Sequence, residues 1–252
     1  MRTRRREFLK AAGVVALGAA SGSAFELVAG DAVAAESTDR TRWAMVIDPR
    51  KCLDAGDCTA CITACHHAHN VPSIPDPRHE VKWIWKESFS AAFADQEAEL
   101  IDEALTSRPI LVFCNHCDNP PCVRVCPTQA TWRRDDGVVM MDWHRCIGCR
   151  YCMAGCPYGS RSFNWQDPRP FIADESRDFP TRTKGVVEKC TLCAERLDRN
   201  EQPLCVGACP AKALVFGNLN DPGSAVRAAL RSRYALRRKV SLGTRPEVYY
   251  LV

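Results

Sequence analysis

The chain has 252 residues, with 34 Lys+Arg against 30 Asp+Glu for a formal net charge of +4, and it is 46% hydrophobic and 25% charged. These values are those of an average soluble protein and exclude a disordered chain, a collagen-like repeat and a multi-span membrane protein. The anomaly is 16 cysteines, all between Cys52 and Cys209.

The N-terminus reads Arg4-Arg5-Arg6-Glu7-Phe8-Leu9-Lys10, then fifteen uncharged residues from Ala11 to Phe25, then Ala32-Val33-Ala34. A basic stretch, a short apolar stretch and a small-residue cleavage site read as a secretory signal peptide over residues 1–34. The apolar run is shorter than the roughly 18–20 residues a spanning helix needs. Arg5-Arg6 followed by x-Phe-Leu-Lys resembles the twin-arginine export signal. That resemblance implies export of an already folded, cofactor-loaded chain to the periplasm, peripheral to the membrane.

Residues 35–252 read as short strands and helices between ligand loops. Trp43 to Asp48 predicts a strand and Thr59 to His67 a helical turn. Residues 66–113 form the largest insertion; within it Val81 to Lys86 alternates at strand period, and Asp95 to Leu105 has helical spacing. Pro109 to Phe113 predicts another strand. Thr131–Arg133 and Val138–Met141 flank Asp135-Asp136-Gly137 as a hairpin. Pro168, Pro170 and the charged run Asp174 to Asp178 mark a surface loop. In the C-terminal tail, 210–252, Ala213 to Phe216 predicts a strand and Pro246 to Leu251 an extended end. Between them, Asp221 as cap and Pro222 at the first position predict a helix to Ser232.

The cysteines fall into four quartets: Cys52-x5-Cys58-x2-Cys61-x3-Cys65, Cys114-x2-Cys117-x4-Cys122-x3-Cys126, Cys146-x2-Cys149-x2-Cys152-x3-Cys156 and Cys190-x2-Cys193-x11-Cys205-x3-Cys209. Each ends in C-x3-C, and proline follows in the last three (Pro127, Pro157, Pro210). Such recurrence is an internal repeat. The third quartet is the bacterial ferredoxin run, whose fourth cysteine ligates the neighbouring cluster. Three closely spaced thiolates reach three irons of one cube, and the fourth, one helical turn on, points to the next. The sequence reading is therefore four [4Fe–4S] clusters in an α+β, tandem ferredoxin-like arrangement of two two-cluster units, loop-rich and with insertions.

Three rivals fit less well. Tetrahedral zinc uses paired C-x2-C units, which leaves the middle cysteine of the third quartet without a role. A disulfide scaffold fits the even count, but C-x2-C-x2-C thiols would make strained bridges. Haem attachment needs C-x-x-C-H, and no such run occurs.

Swapped ligation makes clusters come in pairs. The adjacent second and third quartets predict one set of Cys114, Cys117, Cys122 and Cys156 and another of Cys146, Cys149, Cys152 and Cys126. The first and fourth then predict Cys52, Cys58, Cys61 and Cys209, and Cys190, Cys193, Cys205 and Cys65. Lys51, Arg145, Lys189 and Arg150 flank or interrupt the quartets, where positive charge raises a cluster's potential. His66, His67, His69, His116 and His144 also lie close, but sixteen thiols suffice for four cubes, so structural roles are expected for them. No nucleotide loop, nucleophile–base pair or molybdenum motif is recognisable, and ligand cysteines are not free nucleophiles. No catalytic residue is expected.

The order of the quartets, with Cys114-Asn115-His116-Cys117-Asp118-Asn119-Pro120-Pro121-Cys122, Cys146-Ile147-Gly148-Cys149-Arg150-Tyr151-Cys152 and Glu188-Lys189-Cys190-Thr191-Leu192-Cys193, resembles the four-cluster ferredoxin subunits of dimethyl sulfoxide and polysulfide reductase type over about residues 40–250. The expanded first quartet, Cys65-His66-His67-Ala68-His69-Asn70-Val71-Pro72, the run Val81 to Lys86 and the export signal are similar to one branch. That branch is the exported ferredoxin subunit (DsrO type) of the transmembrane complex associated with sulfite reduction. The resemblance implies electron relay between a quinone-interacting integral membrane subunit and a multihaem cytochrome c. It also leaves a second terminus, a molybdopterin oxidoreductase subunit. Residues 1–34 hold five basic and three acidic groups, so the remainder carries about +2. Four oxidised cubes with their thiolates would bring it to roughly −6, so the basicity is counter-charge for buried anions and not a footprint for nucleic acid.

Overall fold

The computed structural model describes residues 40–96 and 101–252. The signal-peptide reading and part of the helix expected over 95–105 lie outside those residues. In chain order the strands are β1 (Trp43–Ile47), β2 (Ile84–Glu87), β3 (Ile110–Phe113), β4 (Thr131–Arg133), β5 (Val139–Met141), β6 (Ser162–Phe163), β7 (Val187–Glu188), β8 (Leu214–Asn218), β9 (Ala235–Leu236) and β10 (Val248–Leu251). They form one four-stranded sheet ordered β8-β1-β10-β9 and three two-stranded ribbons, β2-β3, β4-β5 and β6-β7. Short helices lie between them, so the fold mixes small α and β elements. No described helix is long and apolar enough to cross a membrane.

β1 is central. It runs parallel to β10, with Met45 opposite Val248, and antiparallel to β8, with Met45 opposite Phe216. Both its faces are covered, so Ala44 to Ile47 is a continuous buried run instead of an alternating one. Helix Ala225–Ser232 covers one face through Val226, and a Cβ at Gly217 would sit 3.3 Å from that side chain. Met45, Ile47, Phe216 and Tyr250 on the other face join the main core with Cys61, Cys65, Trp83 and Phe113. The extended tail therefore closes the sheet beside the first and last cysteine quartets.

Several expectations shift. The strand expected at Val81–Lys86 pairs only over Ile84–Glu87, because its register is set by Ile84 opposite Phe113. Upstream, the Lys82 N–H goes to the Ser162 hydroxyl instead, at 2.8 Å. Of the helix expected over 95–105, the described residues 95, 96, 101 and 102 are not helical, and helix Glu103–Thr106 begins only after them. Asp102 caps that helix by accepting from Ala104 N at 3.0 Å. The C-terminal helix starts at Ala225, not at Pro222: the Asp221 carboxylate accepts from Gly223 N at 2.8 Å, and Ser224 becomes the cap through Arg227 N at 3.3 Å. A helix at Pro49–Asp54 was not expected; there proline occupies the first position, which needs no donor.

Candidate metal centres

Three quartets share one backbone repeat. The third cysteine of each lies on a four-residue helix: Pro121–Arg124, Tyr151–Ala154 or Leu204–Gly207. The fourth turns its N–H to the carbonyl three residues back, Cys126 to Val123 at 3.3 Å, Cys156 to Met153 at 3.2 Å and Cys209 to Val206 at 3.3 Å. Three residues later φ is left-handed, at Gln129 (54°), Gly159 (64°) and Lys212 (49°). The proline after the cysteine lacks a donor, and this turn asks for none there. The first quartet differs: helix Ala60–Ala68 carries both Cys61 and Cys65, four residues apart and buried.

The ligand loops need unusual backbone. His116, Arg150, Leu192 and Cys193 all have positive φ, as does Gly148 at 69°. Glycine is required at 148, since an added Cβ would stand 2.4 Å from the Gly185 carbonyl oxygen.

The thiols gather across the sequence. One cavity is lined by Cys65, Cys190, Cys193 and Cys205 with His69, Trp83 and Phe113. A second is lined by Cys114, Cys117, Cys122 and Cys156 with Pro120 and Tyr158. Cys52 and Cys61 sense the charge of Cys58 and Cys209. Cys126 and Cys146 pack against a separate apolar cluster that holds both Cys152 and Cys122. Cys149 stands half-buried on the same loop as Cys146 and Cys152. None of the sixteen is joined in a disulfide.

Their electrostatics ask for a metal. Burial pushes the Cys65, Cys117, Cys190 and Cys205 thiols up, and Cys61 up to about 11. Burial raises Cys114 too, but His116 and Lys189 outweigh it and hold that thiol down to about 5. Buried thiols packed this closely carry charge together only when cations or metal ions neutralise them. The donor set is all sulfur, in near-tetrahedral numbers, which is what iron–sulfur clusters take.

The flanking basic residues divide. Lys189 is fully buried, its Nζ donating to the Val139 carbonyl and, at 2.7 Å, to the Cys190 carbonyl. The other three turn to solvent: Lys51 is exposed, Arg145 pairs with Asp142 at 3.4 Å, and Arg150 lies over the Trp165 ring.

The histidines behave as structural groups. Nε2 of His66 meets the Ile84 carbonyl at 3.2 Å, and Nδ1 of His116 accepts from Val139 N at 3.1 Å. His67 and His144 are exposed. His69 is buried against Trp83, with Nδ1 on the Cys65 carbonyl at 2.8 Å and Nε2 on Glu195 at 3.1 Å. Burial pushes its imidazole down, but bonds to Cys193 and Glu195 carry it up to about 9.

The burial of two charged features carried no sequence signal. Arg182 and Glu188 form an ion pair at 2.6 Å with both side chains wholly buried. Arg161 is buried with its guanidinium on the Cys122 sulfur at 3.1 Å. Hydrophobic periodicity reports where apolar residues lie and is silent on a buried charge, which only a partner far along the chain makes tolerable.

Residues 110–169 and 177–219 match the 4Fe–4S dicluster domain. The chain is 39% identical to the Hdr-like menaquinol oxidoreductase iron–sulfur subunit 1 of Archaeoglobus fulgidus, over 85% of each chain. It is 37% identical to the iron–sulfur cluster-binding subunit of a menaquinone reductase from Nitratidesulfovibrio vulgaris, over 84% of this chain and 89% of that one. It is also 36% identical to the iron–sulfur subunit of a putative dimethyl sulfoxide reductase from Halobacterium salinarum, over 84% and 79%. With sixteen cysteines for four [4Fe–4S] clusters, the chain belongs to the 4Fe–4S dicluster family, as an iron–sulfur electron-transfer subunit of an oxidoreductase complex.

Proposed function

We propose that residues 35–252 form a four-cluster relay built from two swapped pairs, exported behind the leader at 1–34. The observation that carries it is the make-up of the two cavities, each lined by three cysteines of one quartet or its expanded form and the last cysteine of another. The ligand sets would be Cys65, Cys190, Cys193 and Cys205; Cys114, Cys117, Cys122 and Cys156; Cys52, Cys58, Cys61 and Cys209; and Cys126, Cys146, Cys149 and Cys152. When bound, each cluster supplies a one-electron couple.

The chain's own residues order the sites. Cys61 and Cys65 are one turn apart on a single helix and belong to successive sets. Cys190 and Cys114 sense one another's charge beside Lys189, as Cys152 and Cys122 do beside Arg161. Buried aromatic side chains, Trp83 and Phe113 among them, keep water from the Cys65 cavity. No residue at these sites is placed to act on a substrate, so the chain transfers electrons and leaves turnover to a partner.

The partners we propose are a quinone-interacting membrane subunit and a multihaem cytochrome c, in a periplasmic complex linked to dissimilatory sulfur metabolism. Two relatives whose names carry menaquinol or menaquinone support the quinone side. A molybdopterin subunit in place of the cytochrome is the second reading, favoured by the relative named for a dimethyl sulfoxide reductase. Anaerobic purification of the native complex by a tag on this chain decides between them. Haem-staining c-type cytochrome and an integral membrane subunit are expected; a bound molybdopterin would replace the first reading with the second.

A further inference from the structure

Arg161 is 4% exposed, and among the described residues no carboxylate lies within ion-pair distance of it. Its Nη2 donates to the Cys122 sulfur at 3.1 Å and to the Thr131 hydroxyl at 2.7 Å, and its Nη1 faces the Met141 sulfur at 3.6 Å. The Cys152 thiol packs in the same buried cluster as Cys122 and feels the Arg161 charge. Every hydrogen-bond partner is therefore a neutral hydroxyl or a sulfur, and the cluster around Cys122 also holds Cys152 of the third quartet.

A guanidinium stays protonated in proteins, so it cannot escape burial by losing its charge. Left without an anion, such a group costs about 3–5 kcal/mol, a large share of a folded domain's stability. Nearby Lys189 makes the case stronger. It too is buried, and its ammonium bonds only carbonyls. Two like charges packed together without a carboxylate require an anionic centre among the sulfurs they touch.

We infer that Arg161 is a shared counter-ion at the junction of two clusters, acting through the Cys122 and Cys152 sulfurs to stabilise the reduced state of both. The inference rests on the ligand sets proposed above, which assign Cys122 and Cys152 to different clusters. One-electron reduction adds one negative charge to a cluster. A fixed cation hydrogen-bonded to its ligand sulfur favours that form. The planar fork holds the Cys122 sulfur and the Thr131 hydroxyl at once, which fixes the charge beside both thiols in a way the point charge of a lysine does less well.

The test uses the anaerobically purified full chain carrying its clusters, titrated by potential and followed by electron paramagnetic resonance. In Arg161→Gln, two of the four signals should need a lower potential. At fixed ambient potential their reduced-to-oxidised ratio should fall about tenfold, equivalent to about 59 mV for one electron. The other two should not move, and iron content should hold. Arg161→Lys should shift the same two signals by less, and it gives the same reading if the glutamine variant fails to load iron. Cys122→Ser and Cys152→Ser identify the signals. If they alter two different signals and Arg161→Gln moves neither, the inference is overturned while the ligand sets stand. A uniform shift of all four also overturns it. If the two serine variants alter the same signal, the ligand sets themselves fail.

Discussion

Glu188→Ala probes the structural link between the insertion and the fourth quartet. Glu188 is wholly buried and accepts from Arg182 at 2.6 Å, Trp83 Nε1 at 3.0 Å and Asn164 Nδ2 at 2.5 Å. Arg182 in turn donates to the His69 and Asn70 carbonyls at 2.5 and 2.8 Å, and lies over the Trp83 ring. The network thus ties the chain after Cys65 to the strand that ends one residue before Lys189-Cys190. Removing the carboxylate leaves a buried guanidinium without its anion, which costs about 3–5 kcal/mol. At about 1.4 kcal/mol per decade, the folded-to-unfolded ratio falls by roughly two to four orders of magnitude. Cluster loss makes unfolding irreversible, so the assay is the rate at which visible cluster absorbance decays at fixed temperature under anaerobic conditions. Arg182→Met with Glu188→Met should recover part of the loss, since apolar replacement removes both charges together. A Glu188→Ala chain that keeps its clusters as long as the parent, within about twofold, would refute the reasoning.

Two further outcomes follow from the geometry. Gly148→Ala puts a methyl 2.4 Å from the Gly185 oxygen at a φ of 69°; left-handed backbone alone costs about 1–2 kcal/mol. The third quartet's loop should open, and iron analysis should show about four irons fewer per chain than the parent's sixteen. Stripping iron with an anaerobic chelator should broaden the thermal transition followed by circular dichroism, because ligation contributes folding free energy and the buried cations lose their anion partners. An apo chain with the holo chain's midpoint would contradict that.

Much of this was legible in the sequence because cysteine spacing is a local signal: the four quartets span 11 to 20 residues each. β1, β3 and the β4–β5 hairpin were legible for the same reason, being apolar or alternating runs bounded by turn residues. Helix starts were less so. Asp221-Pro222 carries a start signal as good as Asp48-Pro49, and only the turn that Asp221 makes with Gly223 decides that the helix begins later. The register of β2 was hidden because Lys82 gives its N–H to Ser162, eighty positions away. Arg161 and Arg182 were invisible, and the burial of Glu188, though it opens a quoted motif, was too, since a charged residue reads as surface until its distant partner is known.

The central claim is that ligation is swapped between distant quartets. It is tested most directly by comparing Cys61→Ala, Cys65→Ala and Cys190→Ala, each loaded with iron and examined by electron paramagnetic resonance. Cys65 and Cys190 line one cavity although 125 positions separate them, whereas Cys61 lies one turn from Cys65 on the same helix. The account predicts that Cys65→Ala and Cys190→Ala alter one and the same cluster signal and that Cys61→Ala alters another. Loss of a single signal in both Cys61→Ala and Cys65→Ala, with a different one lost in Cys190→Ala, would contradict it.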